Sequence, residues 1–378
     1  MKVVVLGGAG VMGSYAAIHL VNSGIFSNVI IADLNEEKGK ELAKQYGMDF
    51  VKIDATSEES LKEAIKGASV VINAVGPFYK FALPILKTVI KEGINYVDIC
   101  DDYDVTQKLL ELDEMAKGNG TAAIIGLGAS PGITNVAAAY GASMLDEVES
   151  IKIYVTRSIK EEAGGAIPYH MLHAWLGNAP AYLNGEYEIK KGLRDGKEHI
   201  KFPEPFGELD VYYFGHPETI TLPRYINVRN VECKGNFTPP IFRNFLISLD
   251  ELGFISDEKL DIGISPIDFL AAFIQSKVKS MSGMEDVPEG GAVMVAVNGK
   301  KDGKDVSYAF SGIARMREAT ATPAAIAAIM MAKGEISFSG VRAPEASLPH
   351  KKFVNEMIKS GIFHKIWMEE KKEIEELG

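Results

Sequence analysis

Seven residues constrain this chain more than any others: Gly7-Gly8-Ala9-Gly10-Val11-Met12-Gly13. They follow Val3-Val4-Val5-Leu6, a short apolar run suited to a strand buried on both faces. They open a helical pattern that runs to Ser23 and that Gly24 stops. In Gly8-x-Gly10-x-x-Gly13 the first glycine allows a tight turn. The second lets a pyrophosphate approach the backbone, and the third lets the helix pack on the strand. The phosphates would rest on the free N–H groups of the first helical turn, at Val11 and Met12. Alone, such a loop is a weak signal, because a glycine-rich turn also packs a helix on a sheet. Here Asp33 ends the next strand twenty residues past Gly13, where a carboxylate accepts bonds from ribose hydroxyls. It would also repel a 2′-phosphate. No arginine lies between Leu34 and Glu37, so NAD is favoured, with NADP possible through Lys38. The spacing Gly7-x-x-Gly10-x-x-Gly13 also fits extended short-chain dehydrogenases, which need a helical Tyr-x-x-x-Lys. The only match, Tyr187…Lys191 between Gly185 and Gly192, reads as a hairpin.

The first third continues as alternating strands and helices. Strands are expected at Asn28–Ala32, Phe50–Ile53, Ser69–Val75, Tyr96–Ile99 and Ala122–Ile125. Helices are expected at Glu36–Tyr46, Ser57–Ile65, Phe81–Lys91 and Val105–Lys117. This spacing predicts an α/β fold, a Rossmann-type doubly wound parallel sheet. At 378 residues the chain exceeds the roughly 250–300 that one core serves, so a second domain is expected. We place the dinucleotide domain at 1–130 and 325–378, with an inserted α+β substrate-binding and dimerisation domain at 131–324.

Composition excludes other classes. A hydrophobic content of 47% and a charged content of 24% exclude a mainly disordered chain. The net charge of −11 repels phosphate backbones and argues against nucleic acid. Two cysteines, Cys100 and Cys233, without CxxC spacing, exclude a disulfide framework and fit a reducing compartment. The longest apolar run, Pro323 to Ala332, is too short for a bilayer. Val3–Leu6 resembles a signal peptide only superficially, since glycines break it at once. A cytoplasmic protein with no membrane partner is expected.

Ligands of doubly wound sheets bind at the carboxyl ends of the strands. The third strand ends at Asp54, a further cofactor candidate. After the fourth come Ala74 and Gly76, small enough for a nicotinamide ribose, then Phe78 beside the substrate, and Tyr79 and Lys80 within reach of it. After the fifth, Asp98, Asp101, Asp102 and Asp104 place four carboxylates within seven residues. Such a group is costly to bury unpaired. It suits a substrate ammonium or a base, or simply solvation, with Asp104 as the cap of the following helix. After the sixth come Ser130, Pro131, Gly132 and Asn135, where the Ser130 hydroxyl and the backbone amides neighbouring Pro131 suit a carboxylate or the nicotinamide amide. Pro131 is expected in the first turn of the next helix. Gly128-x-Ser130-x-Gly132 also matches a hydrolase elbow. Pro131, however, has no N–H to donate to an oxyanion.

Gly8–Gly13, Gly76-Pro77-Phe78, Tyr96-Val97-Asp98, Ser130-Pro131-Gly132-Ile133 and the C-terminal half together resemble the saccharopine dehydrogenase family, lysine 6-dehydrogenases included. Gly141 to Ser150 looks most like the latter branch. The resemblance implies a Rossmann domain with an inserted α/β domain, the C-terminal segment returning to the first. It also implies oxidation, or reductive formation, of a C–N bond in lysine-derived amino acids with NAD or NADP. Ser130 stands where saccharopine reductases carry aspartate, so the resemblance points to this chemistry more than to saccharopine itself.

The second half predicts a strand at Glu149–Thr156, a helix within Gly164–Gly177 bearing His170 and His173, strands at Tyr212–Phe214 and Glu218–Leu222, and a hairpin of Ala292–Val297 with Val306–Ser311. Helices are expected at Pro323–Met331 and Lys351–Lys359. Two histidines three apart could bind metal, but no third ligand accompanies them, so no metal site is expected. An amino-acid substrate needs a carboxylate anchor, and a guanidinium suits it. Arg224 is preferred over Arg229 and Arg243. Asp101, Asp102, Tyr79 and His216 are the acid–base candidates. The expected function is an NAD(P)-dependent oxidoreductase that transfers hydride at a C–N bond of a small, lysine-derived amino-acid substrate, with a homodimer expected; the alternatives are lysine 6-dehydrogenase activity and a non-enzymatic dinucleotide-binding redox sensor.

Overall fold

The computed structural model describes residues 1–160, 167–256, 258–281 and 287–372. The chain divides into two compact units. The first is Met1–Val136 with Arg317–Ile362, and the second is Ala137–Met316 with the segment from Phe363 on.

In the first unit, strands β1 (Lys2–Leu6), β2 (Asn28–Asp33), β3 (Asp49–Lys52), β4 (Val70–Asn73), β5 (Asn95–Asp98) and β6 (Ala122–Ile124) are joined by Gly340–Arg342 from the returning chain. Their order is 340–342, β6, β5, β4, β1, β2, β3, and every pairing is parallel. The order reverses between β1 and β4, which opens the crevice used by ligands in such sheets. Val3, Val4, Val5 and Leu6 are all 0% exposed. Each such burial is worth roughly 1.5–3 kcal/mol, which is why the strand reads as unbroken apolar sequence.

Local chemistry sets the boundaries. Gly24 and Gly47 end the helices Val11–Ser23 and Glu36–Tyr46 in the left-handed conformation, at φ 64° and 70°. The Ser57 hydroxyl accepts from Ser60 N–H and caps Glu58–Ile65. One expected helix, Val105–Lys117, is instead two, Tyr103–Leu110 and Asp113–Gly118. Asp113 explains the break, because its carboxylate accepts from Val341 N–H at 2.9 Å. That bond ties the start of the second helix to the returning strand. The first helix begins with Asp102, not Asp104, at its N-cap.

The second unit is a mixed sheet of nine strands among the described residues. Its central strand, Glu147–Ser158, runs parallel to Val228–Thr238 and antiparallel to Gly291–Lys301. Gly291–Lys301 and Lys304–Ala314 form the expected hairpin. Asp302 and Gly303 both have positive φ, 53° and 77°, as a tight primed turn requires. Asn178–Leu183 and Glu186–Lys191 form another hairpin, which places Tyr187 and Lys191 in a strand and not on a helix. The helix Ile167–Leu176 carries His170 and His173; the start of its expected span, 164–166, lies outside the described residues.

Two expectations fail in this unit. Glu218–Leu222 is not a strand but the start of the helix Glu218–Tyr225. Pro217 begins its first turn, with Ile220 and Thr221 N–H donating to Pro217 O. All five residues are buried, so the helix shows no polar face to betray its period. The C-terminus also departs from the placement of 325–378 in the dinucleotide domain. Phe363–Lys372 is a strand paired antiparallel with Lys304–Ala314, and its half-buried Trp367 packs on Tyr154, Phe202, Phe206 and their neighbours. Trp367→Ala is therefore expected to cost about 2 kcal/mol, read as a lower urea midpoint with an unchanged slope. An unshifted midpoint would show that this strand is not docked.

Candidate functional site

Because the first sheet is wholly parallel, the ends of all its strands line one edge. Gly8 and Gly10 lie in the loop after β1 and Gly13 in the first turn of the helix Val11–Ser23, and each serves a distinct purpose. A Cβ on Gly13 would stand 2.2 Å from Gly7 O, and one on Gly8 would stand 2.8 Å from the Ile31 side chain. One on Gly10 would meet only Gly7 O, at 3.1 Å. Gly8 and Gly13 are thus needed by the fold, whereas Gly10 keeps an approach open. Gly10 is also the N-cap of Val11–Ser23 and provides no side-chain cap. The amides of Val11 and Met12 are left to an incoming anion.

Asp33 serves this loop as well as a ligand. Its Oδ2 accepts from Ala9 N–H and its Oδ1 from Asn35 N–H, both at 2.9 Å. Each carboxylate oxygen retains a lone pair, enough for a pair of vicinal hydroxyls. Ile53 N–H donates to Asp33 O, so the ends of β2 and β3 are joined. Asp54, next along, is exposed. Its carboxylate takes the N–H and hydroxyl of Thr56 at 2.9 and 2.6 Å, which holds it below the usual carboxylate range. These residues fit a dinucleotide: amides and an open glycine for the pyrophosphate, a carboxylate for the ribose.

The ends of β4, β5 and β6 are joined by a network that begins at Asn73, Tyr96 and Asp98, all 0% exposed. Val75 N–H donates to Asn73 Oδ1, Asn73 Nδ2 to Tyr96 Oη, and Tyr96 Oη to Asp98 Oδ2. Asp98 Oδ1 accepts from Cys100 N–H at 3.0 Å and from Gly126 N–H at 2.7 Å. Burial pushes the Asp98 carboxyl up to about 6, against the pull of these hydrogen bonds. Burial also raises the Tyr96 phenol, which stays a proton donor at neutral pH. Asp98 thus holds the loops in place and is closed to a substrate ammonium. Nothing in the spacing of Asn73 and Tyr96 marks them as its partners, since only the strand register brings them together.

The remaining candidates separate by role. Asp102, 1% exposed, accepts from Tyr79 N–H at 3.1 Å. It thereby satisfies an amide in the first turn of Phe78–Lys91, where a negative charge is favourable. Asp101 and Tyr79 are half-buried beside it, as are Ala74, Gly76 and Phe78. Pro131 is not in a helical first turn, because that helix begins at Ile133. Instead Gly128 N–H donates to Pro131 O and Ile133 N–H to Gly128 O. A Cβ on Gly132 would strike Gly128 O at 2.1 Å, so the loop closes on itself there. Asn135 caps the helix by accepting from Gly132 N–H and donating to Glu345 Oε2, at 2.8 and 2.9 Å. Its amide is used by the fold and positions the loop. Ser130 is half-buried.

In the second unit His216 is 4% and Glu218 0% exposed, with His216 Nδ1 2.7 Å from Glu218 Oε2. Thr219 Oγ1 donates to His216 O, and the His170 ring lies edge-on to His216 at 6.0 Å. The sequence offers His216 as a candidate but not its buried partner Glu218, whose segment reads there as a strand. Arg224 is exposed at the far end of the same helix. Arg229 is exposed as well, and Arg243 is engaged by Leu193 O, Asn244 and the Tyr212 ring. The structure does not bring Arg224 to His216.

The glycine loop, the acid ending β2 and the strand order define a Rossmann-type dinucleotide-binding protein. Residues 3–124 match the saccharopine dehydrogenase NADP-binding domain and residues 128–362 the saccharopine dehydrogenase C-terminal domain; the chain belongs to this family. Yeast saccharopine dehydrogenase (L-Glu forming) has a similar fold, with TM-score 0.68 and 16% identity over 99% of this chain and 100% of that one. A lipid droplet localized protein of Caenorhabditis elegans is 32% identical, but over 31% of this chain and 30% of its own length. The match to mycobacterial trans-acting enoyl reductase likewise covers 36% of that protein. Two relatives match over most of their length. Carboxyaminopropylagmatine dehydrogenase of Synechocystis is 22% identical over 90% of this chain and 92% of its own. Carboxynorspermidine synthase of Vibrio alginolyticus is 24% identical over 76% of each. No described helix is long and apolar enough to cross a membrane.

Two measurements test this geometry. Gly10→Ala should leave the thermal midpoint nearly unchanged while weakening dinucleotide binding at least tenfold; Gly13→Ala should lower both. Equal effects on folding would contradict the distinction drawn between the two positions. For Asp98 the folded carboxyl, about 6, lies above its ordinary 3.8. The stability it contributes is present below about pH 4 and is lost as pH rises through 6. Relative to Asp98→Asn, the wild type should lose up to about 3 kcal/mol between pH 4 and 6 and then level off. A pH-independent difference would show that Asp98 does not titrate in this range.

Proposed function

We propose that this protein is an NAD(P)-dependent oxidoreductase acting at a C–N bond of an amine that carries a carboxylate, a lysine-derived amino acid such as saccharopine or lysine. The observation that carries this reading is the dinucleotide-binding edge in a chain of this family. The two relatives matched over most of their length support it, since both names describe carboxyl-bearing amines. When bound, the nicotinamide accepts hydride from, or returns it to, the carbon bearing nitrogen. Gly8, Gly10, Val11, Met12 and Gly13 would cradle its pyrophosphate, and Asp33 would take the ribose hydroxyls. Ala74 and Gly76 leave room beside β4, and Pro131 shapes the loop after β6. Phe78, Ser130 and Gly132 line the substrate side.

Of the four acid–base candidates, His216 has the most complete support. A buried carboxylate orients its Nδ1, so Nε2 is the atom that would hold or move a proton at the amine nitrogen. Asp101 and Tyr79 are the next candidates, whereas Asp102 is bound to a helix terminus. His216→Gln should lower kcat at least a hundredfold with dinucleotide affinity unchanged. A variant with wild-type kcat would return the role to Asp101 or Tyr79.

The activity test supplies NAD or NADP with saccharopine, lysine and carboxyalkyl polyamines and follows absorbance of the reduced cofactor. Turnover of at least one is expected. Tight dinucleotide binding without turnover of any would leave a redox sensor as the better reading. We further propose NAD over NADP, because Asp33 would face the 2′-phosphate. Asp33→Ala should weaken NADH binding tenfold or more and NADPH binding less. An unchanged NADH affinity would refute the placement of the ribose.

A further inference from the structure

A cavity of about 290 Å³ lies within the first unit, away from the strand ends that form the cofactor edge. Its floor is apolar. Ile326, Ile329 and Met330 come from the last two turns of the helix Met316–Ala332, and Ile25 follows the end of Val11–Ser23. Ile326 and Met330 are buried, so the floor belongs to the core. The rim is charged. In the helix His350–Lys359, Lys352, Glu356 and Lys359 fall at i, i+4 and i+7 and share a face, while Phe353 and Met357 anchor the helix to the core. Gly334, at φ 71°, turns the chain so that Lys333 and Glu335 join this rim.

The rim charges do not cancel. Lys352 Nζ lies 3.0 Å from Glu335 Oε2, and Lys359 Nζ 2.7 Å from Glu356 Oε1. Lys333 is left over: its ammonium makes no hydrogen bond or ion pair among the described residues. The His19 ring, half-buried in the cavity wall, makes none either. Burial holds this imidazole below its ordinary value, so at neutral pH it is an uncharged ring with one N–H to donate. A leucine there would avoid the cost of a half-buried polar group with no partner. The nearby helix ends do not call for a cation, because Gly24 N–H takes Val21 O, Gly334 N–H takes Met331 O and Glu335 N–H takes Met330 O.

We propose that this cavity is a binding site for a small aliphatic monocarboxylate. The carboxylate takes the Lys333 ammonium and the His19 N–H, and a chain of about four or five carbons lies on Ile326, Ile329 and Met330. The volume stands at the lower end of small-molecule sites, about 300–1,000 Å³. A second carboxylate on the ligand would meet Glu335 or Glu356, and an ammonium would meet Lys333, Lys352 and Lys359, so dicarboxylates and diamines do not suit it. His19 and Ser23 lie about 12–18 Å along their helix from the Val11 amide, so this ligand and a dinucleotide can be bound together. The site does not depend on the reaction proposed above.

Isothermal titration of the full chain with 4-methylpentanoate tests this. One ligand per chain is expected, with a Kd below about 1 mM that saturating NADH leaves unchanged. 4-Methylpentanamide, which lacks the charge, and acetate, which lacks the chain, should each bind at least tenfold more weakly. Lys333→Gln, at an exposed position, and His19→Leu should each weaken binding of 4-methylpentanoate at least tenfold with the thermal midpoint of Lys333→Gln unchanged. Lys351→Gln, outside the cavity, should bind like the wild type. No binding up to about 10 mM, wild-type affinity in either cavity variant, equal binding of the amide or acetate, or displacement by NADH would each overturn the proposal.

Discussion

The ligand-binding edge of the first unit depends on one buried carboxylate. Asp98 Oδ1 takes two backbone amides and Oδ2 the Tyr96 hydroxyl. These bonds fix the first residues after β5 and β6 and, through Asn73, the turn after β4. A neutral residue of the same size has fewer acceptor sites and would leave a buried N–H or O–H unpaired, at about 1–3 kcal/mol each. Ionised Asp98 satisfies three donors at once, and burial is the opposing cost, seen in the raised carboxyl. The group therefore contributes to specificity of loop geometry more than to net stability.

The same economy of backbone donors recurs at β1 and β2. Asp33 orders the glycine loop through Ala9 N–H before any ligand arrives, so the acid that would hold a ribose also holds the loop that would hold the phosphates. Asp102 likewise bonds Tyr79 N–H, and Asn135 bonds Gly132 N–H. Each loop at this edge is thus fixed by a side chain from itself or a neighbouring loop. Such a preorganised rim suits hydride transfer, in which positioning matters more than acid strength.

The parallel unit was legible because its signals are local. Apolar β-branched strands, Ser57 as a cap and Gly24 and Gly47 as stops each act within a few residues. Asn73 and Tyr96 were not legible as partners of Asp98, because only strand register aligns their side chains. Glu218–Leu222 misled for a related reason: a helix buried on every side loses the polar face that would reveal its period. Phe363–Lys372 was missed because an edge strand with one half-buried tryptophan and charged neighbours has little alternation to detect. Arg224 follows His216 closely in the chain and has the chemistry of a carboxylate anchor, but neither fact says which way a helix end points.

A histidine followed two residues later by glutamate has no distinctive spacing. Pro217 between them starts a helix, and that turn brings Oε2 to Nδ1 at 2.7 Å. Phe214 packs on the His216 ring at 4.8 Å and on Trp175 at 4.3 Å. The aromatic stack fixes the ring plane while the carboxylate holds Nδ1, so that Nε2 is the ring nitrogen turned away from Glu218. A histidine kept solely for packing would not need a buried carboxylate, since burying both polar groups costs more than burying a leucine there.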